Sequence, residues 1–343
     1  MKPMTDLIAP RPEGLYAPAA NALIDPVAPA ARAIITHGHA DHARGGHGEV
    51  LATPETLAIM RARYGANFCK TERPLRYNEA VRFGALAISL HPAGHILGSA
   101  QIALEAGDRR VVVSGDYKRA PDPTCRPFEV VRCDLFVTEA TFALPVFRFP
   151  PADAEIEKLL ASCALFPQRA HLVGVYALGK AQRVIALLRR ARWTKPIYLH
   201  GALASLVALY EAHGVELGDL RPALDAAKSE LAGAIVLCPP SALQTPWARR
   251  FPDPINAFAS GWMRVRARAR QRGVELPLVI SDHADWLDLQ RTILDTGARE
   301  IWITHGQADA LAYWCATQGI DAKALRLPGY GDEGEGETVD AAA

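Results

Sequence analysis

Five apolar runs in this chain each stop at a residue able to ligate a metal or move a proton. Ala33-Ile34-Ile35 leads into Thr36-His37-Gly38-His39-Ala40-Asp41-His42, and residues 110–114 lead into Gly115-Asp116. Leu135-Phe136-Val137 leads into Thr138-Glu139, residues 276–280 into Ser281-Asp282-His283, and Ile301-Trp302-Ile303 into Thr304-His305. Short apolar runs bounded by turn residues read as buried strands. A chain built this way must bring several strand ends to one edge, where their polar residues meet. Along a strand, side chains alternate between faces, so His37 and His39 point to the same side. A tighter turn after Ala40 then aims Asp41 and His42 at a neighbouring point.

Residue types give the chemistry. Imidazole suits zinc, and a carboxylate beside it can bind or bridge a second divalent ion. His95 lies between Gly94 and Gly98, which permit a sharp backbone path and close approach, and it is read as a further ligand; His91 is read as a support for that loop. Five histidines (37, 39, 42, 95 and 305) and two aspartates (41 and 116) are thus expected to form a dinuclear site. The expected cofactors are two divalent ions, zinc first and manganese as the alternative. Asp25 is either a turn residue or a carboxylate that orients a ligating histidine, and His47 is read as a loop histidine.

The 343 residues suggest two domains, or one large α/β domain with an insert. Half the residues are hydrophobic, so a sizeable core can form. With 38 basic and 37 acidic residues the formal net charge is +1, and any basic site must be local. The six cysteines contain no Cys-x-x-Cys pair and the start of the chain has no apolar leader, which points to a cytoplasmic protein. No apolar run reaches the roughly 18 residues of a membrane span.

Strand composition at residues 172–176, 196–199, 234–238 and 255–260 alternates with helical composition at 181–192 and 204–213. Strand–helix alternation implies a small parallel sheet, so residues 166–265 are read as an inserted α/β domain. It divides the main domain into residues 1–165 and 266–330, followed by an acidic tail, 331–343, expected to be disordered. Gly179-Lys180 opens a helix, a natural anion site, and Ser260 and Gly261 are read as presenting another; a terminal substrate phosphate is expected to bind there. Residues 262–273 carry five arginines, and on one helix Arg264, Arg268 and Arg272 would share a face, either solvated or binding phosphate.

The His-x-His-x-Asp-His loop at 37–42 resembles the hallmark of the metallo-β-lactamase fold. Thr138-Glu139-Ala140-Thr141-Phe142, Ser281-Asp282-His283-Ala284-Asp285 and Thr304-His305-Gly306 resemble motifs A, B and C of the β-CASP nucleases, which insert a small α/β domain between motifs A and B. Val175-Tyr176-Ala177-Leu178-Gly179-Lys180-Ala181-Gln182 also resembles the first strand–turn–helix of that insert. The short length and the Ser-Asp-His-Ala-Asp-Trp stretch are most similar to the bacterial ligase-associated DNA exonucleases. The resemblance implies an αββα sandwich with a β-CASP-type insert, acting in DNA repair on nucleic acid, single-stranded DNA before RNA, with a functional link to a DNA ligase and none to a membrane. It implies one metal held by His37, His39 and His95, a second by Asp41, His42 and His305, with Asp116 bridging. It implies His283 as general acid and Glu139 as its orienting carboxylate. His305 at motif C matches the RNA-processing members, whereas the eukaryotic DNA-repair members usually carry Val there, so an RNA-processing nuclease is the alternative. A small-molecule hydrolase acting on a thioester or lactam, and a non-catalytic nucleic-acid-binding scaffold, are the other readings weighed.

Overall fold

Pairing of the apolar runs decides the architecture. The computed structural model describes residues 4–251 and 253–326, so the acidic tail expected at 331–343 lies outside the described residues. The described residues divide into two compact units, 4–147 together with 283–326, and Arg148–Asp282.

The first unit contains two sheets. One has six strands in sequence order, Ala9–Arg11, Gly14–Ala17, Ala22–Ile24, Arg32–Ile34, His47–Ala52 and Cys69–Pro74. The other has seven, ordered Asp321–Ala324, Glu300–Gly306, Leu135–Ala140, Arg109–Val113, Ala100–Ala106, Leu86–Pro92 and Ala80–Phe83. Leu15, Ile24, Ile34 and Leu51 from the first sheet pack against Ile88, Leu90, Ile102, Leu104, Val113, Val137 and Trp302 from the second. The outer face of the first sheet, with Ala33, Val50 and Ala52, is covered by Leu57 and Met60 of the helix Pro54–Tyr64. The outer face of the second, with Val112, Phe136, Ile301 and Ile303, is covered by Leu289 and Ile293 of Trp286–Thr296 and Leu311 and Cys315 of Ala308–Thr317. The layers therefore run helix, sheet, sheet, helix.

Strand direction positions the site. Asp321–Ala324, Glu300–Gly306, Leu135–Ala140 and Arg109–Val113 are parallel neighbours, so their C-terminal ends lie at one edge. Ala100–Ala106 runs antiparallel to Arg109–Val113, which places its start, and the His95 loop before it, at that same edge. The Ala100 N–H donates to the Thr36 carbonyl (2.8 Å), tying in the end of the first sheet's Arg32–Ile34 strand.

In the second unit all six strands are parallel, in the order Leu220–Pro222, Ile197–Leu199, Ile235–Cys238, His171–Gly174, Ile255–Ala259 and Leu276–Leu278. The helix Ala152–Leu165 and strand Leu276–Leu278 belong to this unit, which is wider than the 166–265 span read from composition. Lys158 donates to the Pro277 carbonyl and the Val279 N–H donates to Glu155 (2.7 Å), which fixes that helix to the edge strand.

One local expectation changes. Residues 262–273 do not form a single helix. Gly261–Arg264 is a 3-10 turn capped by Ser260, and Val265 is extended (φ −94°, ψ 100°) before a short helix, Arg266–Gln271. Arg264 therefore stands off the helix that carries Arg268, because a β-branched residue in extended geometry breaks the turn between them. The strands Cys69–Pro74 and Asp321–Ala324 contain no large aliphatic or aromatic side chain and sit at sheet edges, so apolar periodicity did not find them. All six cysteines are free thiols. Among the described residues no helix is long and apolar enough to cross a membrane.

Candidate metal centre

Asp116 sits at the centre of the strand-end edge. It is 1% exposed, and neither of its buried carboxylate oxygens receives a hydrogen bond of good geometry. Four imidazole nitrogens surround it instead: Nε2 of His37 lies 3.3 Å, of His42 3.5 Å and of His95 3.9 Å from Oδ2, while Nε2 of His305 lies 3.3 Å from Oδ1. Each of its two oxygens thus faces its own set of nitrogens.

Proton counting fixes the ring orientations. The Thr36 hydroxyl donates its one proton to Asp25 Oδ2 (2.6 Å), so His37 Nδ1, 3.0 Å from Thr36 Oγ1, must be the donor there. His37 Nε2 is then a bare lone pair facing inward. The same arrangement recurs at the other strand end. Thr304 Oγ1 donates to the Thr138 carbonyl (3.2 Å) and accepts from His305 Nδ1 (3.0 Å), leaving Nε2 toward Asp116. His42 Nδ1 donates to Asp25 Oδ2 at 2.9 Å, which turns its Nε2 toward Asp116 and Asp41 Oδ2, 3.6 Å away. Asp25 is itself anchored by the Thr36 N–H (2.8 Å) and lies at φ +43°. Of the two readings of Asp25, the structure therefore shows it orienting a histidine as well as turning the chain.

The inner nitrogens crowd together. His39 Nδ1 is 3.1 Å from His37 Nε2 and 3.0 Å from His95 Nε2. These three residues and Asp116 form a buried group able to hold a metal ion. Donor separations of 3.0–3.9 Å match a small tetrahedral ion, whose bonds of about 2.0–2.1 Å give edges near 3.3–3.4 Å. A buried carboxylate ringed by lone pairs is costly unless a cation is shared among them, so the residues fit the implied metal.

The electrostatics agree. Burial, then the neighbouring His42, hold His37 well below the ordinary imidazole range, and burial with His283 does the same for His95. Burial opposes charge on Asp116, yet His42 and His37 keep its carboxyl well below the usual carboxylate range. Burial also opposes charge on His42 and His305, but Asp116 leads the charges that raise both. The pocket favours positive charge around its carboxylate and keeps His37 and His95 toward the neutral, ligand form.

A register shift aims His305. Thr138 pairs with Ile303 and Ala140 with Gly306, so Thr304 and His305 together oppose the single residue Glu139. Such a bulge re-aims a side chain next to a site. Gly115 makes the bend before Asp116 at φ +55°, and a Cβ there would stand 2.7 Å from Thr36 Cβ and 2.8 Å from its Oγ1. Gly115→Ala is expected to cost about 2 kcal/mol or more, from strain and overpacking, and to weaken metal binding by displacing Thr36. Thermal unfolding with and without zinc checks both; an unchanged midpoint would refute the close approach.

Beside the group stand His283 and Glu139. His283 Nδ1 lies 3.0 Å from Glu139 Oε2 and 3.1 Å from Oε1, and Oε1 also accepts from the Tyr117 N–H (2.9 Å). The Ala284 N–H donates to the Tyr117 carbonyl (2.7 Å), and Lys118 Nζ lies 3.3 Å from the His283 carbonyl. The His283 ring is 4.7 Å from the His95 ring. The segment Asp116–Lys118 thus supplies both a central carboxylate and the backbone that holds His283.

The structure therefore brings His37, His39, Asp41, His42, His95, Asp116, His305, Glu139 and His283 to one region. His91 bonds Ser89 (3.0 Å) and Glu129 (3.2 Å) instead, and His47 Nδ1 accepts from the Ala30 N–H (3.1 Å). The residues expected to bind phosphate lie in the second unit. Lys180 Nζ is buried, bonding Asp282 (2.7 Å) and the Ile280 carbonyl (2.9 Å). Ser260 caps the turn that begins at Gly261, Arg264 is exposed, and Arg268 stacks over Trp262 at 4.0 Å. Sequence reading gave no role to Thr36 or Thr304, although a Thr directly before a ligating His occurs twice. Asp25→Asn or Thr304→Val is expected to weaken metal affinity roughly 10–100-fold by freeing a ring to rotate. Competition against a zinc-chelating dye measures this, and unchanged affinity would show these contacts to be incidental.

Fold and site together define a layered α/β protein with a buried His/Asp group that can bind metal. No family model matches the chain. It is similar to a "Probable DNA ligase" of Opitutus terrae, 29% identical over 316 residues, covering 91% of this chain and 30% of that protein. It is also similar to the endoribonuclease YSH1 of Gibberella zeae, 26% identical over 184 residues, covering 50% of this chain and 22% of that protein. The chain thus spans less than a third of the length of either relative. Its fold is shared with the crystal structure of a protein of unknown function from Enterococcus faecalis V583, at a TM-score of 0.58 and 13% identity over 88% of this chain and 80% of that one.

Proposed function

We propose that this chain is a metallo-β-lactamase-fold, β-CASP-type nuclease that hydrolyses phosphodiesters, and specifically a DNA exonuclease of the ligase-associated kind acting in DNA repair. One observation carries the reading: a buried carboxylate lies among four imidazole nitrogens, with a His–carboxylate pair standing beside them. His37, His39 and His95 would hold one divalent ion and Asp41, His42 and His305 a second, with Asp116 shared between the two sets. Bound there, such ions supply Lewis acidity toward a phosphoryl oxygen and lower the pKa of water. Zinc suits five imidazoles, and manganese is the alternative.

The chain's own residues supply the rest. A ribose oxygen leaves poorly unless it gains a proton as the P–O bond breaks. His283 is placed to give that proton from Nε2, because Glu139 engages its Nδ1. Glu139 keeps the ring in that orientation. Asp25, Thr36 and Thr304 hold the ligating rings against rotation. Exonuclease action further assigns a terminal phosphate to Lys180, Ser260 and Gly261, where phosphate must compete with the Lys180–Asp282 pair.

The similarity to a ligase over 91% of the chain supports DNA. The similarity to an endoribonuclease, together with His305, supports RNA processing as the second reading. End-labelled single-stranded DNA and RNA of one sequence, with phosphorylated and unphosphorylated ends, separates them in zinc and in manganese. Metal-dependent trimming of DNA from one end is the expected result. RNA-selective cleavage replaces it with the second reading, and turnover of a thioester with no nuclease activity overturns both.

A further inference from the structure

The chain is nearly neutral, but its positive charge is unevenly distributed. Residues 249–275 contain seven arginines (249, 250, 264, 266, 268, 270 and 272) against two acids, Asp253 and Glu275, which leaves the rest of the chain net negative. Both acids are engaged by Arg169, at 3.1 and 3.2 Å, and so do little to neutralise the arginines nearer to them in sequence. Arg249, Arg264, Arg266, Arg270 and Arg272 are exposed. Among the described residues, Arg249, Arg266 and Arg270 have no carboxylate within ion-pair distance. Arg266 and Arg270 are four residues apart on the helix Arg266–Gln271, so they project from one face about 6 Å apart along its axis.

Aromatic rings are interleaved with these charges. Arg268 stacks over Trp262 at 4.0 Å and Arg272 lies 5.6 Å from the Phe258 ring. Stacking on Trp262 fixes Arg268 without neutralising it, so the guanidinium retains its full charge. A solvated helix face usually mixes both signs at i,i+4 spacing; this one carries a single sign.

We propose that the arginine-rich stretch 264–272 is a docking surface for the sugar–phosphate backbone of single-stranded nucleic acid, with Arg266 and Arg270 contacting phosphates. The inference rests on the nuclease reading for its choice of polyanion, and it adds a recruiting surface separate from the residues that do the chemistry. Cationic grooves with interleaved aromatics are the usual means of holding single strands without reading their sequence. Binding here is therefore sequence-tolerant and falls steeply with salt.

The test is fluorescence anisotropy of a labelled 20-nucleotide single strand with the full chain in EDTA, where hydrolysis does not interfere, between 50 and 300 mM KCl. For the double variant Arg266→Gln/Arg270→Gln, loss of two phosphate contacts makes the slope of log K against log salt shallower by about 1.4, with affinity at 50 mM falling on the order of tenfold. The exposed pair Lys70→Gln/Arg82→Gln removes the same net charge elsewhere and is expected to change neither. An unchanged slope in the first variant, an equal loss in the second, or binding of duplex but not single strands overturns the proposal. Wild-type turnover of bis(p-nitrophenyl) phosphate, too small to need a docking surface, tests the nuclease reading separately.

Discussion

Asp116→Asn is expected to abolish phosphodiester hydrolysis, by on the order of 10³-fold or more, and to lower bound metal together with it. The amide keeps the volume but replaces one carboxylate oxygen with an NH₂ that faces imidazole lone pairs at 3.3–3.9 Å. Because both Asp116 oxygens face nitrogens, the loss reaches both halves of the site, and several kcal/mol of transition-state stabilisation go with it. Elemental analysis of the purified variant and its turnover of labelled DNA are the two readouts. Retention of both metal and activity would place the chemistry elsewhere. Chelation of the wild type should lower its unfolding temperature, since any ion bound to the native state alone adds stability by mass action. In Asp116→Asn that chelator-dependent shift should shrink or vanish.

His283→Gln gives the second large effect, and the leaving group tells its cause. On a nucleotide diester, whose alkoxide leaves poorly, kcat should fall about 10²–10⁴-fold. On bis(p-nitrophenyl) phosphate, whose phenolate leaves without help, the fall should be only several-fold. Equal losses on the two substrates would mean that His283 supports the neighbouring site, consistent with its ring lying 4.7 Å from His95, and does not donate a proton. Glu139→Gln should follow the same pattern more weakly. It keeps a hydrogen-bond acceptor beside Nδ1 but removes the carboxylate charge, so the loss should again be larger on the nucleotide diester than on bis(p-nitrophenyl) phosphate.

Much of the site was legible because its signals are local. The 37–42 loop holds four potential ligands within six residues, and strand alternation alone aims His37 and His39 together. Asp116, Glu139 and His305 stood out because each follows an apolar run, and parallel neighbours share one edge. The helix Lys180–Arg190 falls where the Gly179-Lys180 turn places it. The helix expected over 262–273 failed for an equally local reason: composition favoured a helix throughout, but Ser260 capping and the extended Val265 divided it.

Two kinds of information were carried by different levels of structure. The sequence by itself determined which side chains are able to ligate a metal or move a proton and where the apolar runs stop, because residue type and period are properties of neighbours along the chain. Only the tertiary structure decided which nitrogen of each imidazole faces inward. That choice follows from Asp25 meeting His42 across 17 residues and Thr304 meeting the Thr138 carbonyl across 166. It also decided that Lys180, read as an open anion site, is buried against Asp282, 102 residues away. A hydrogen bond needs its partner within about 3 Å, and no pattern along a chain states which distant residues will come that close.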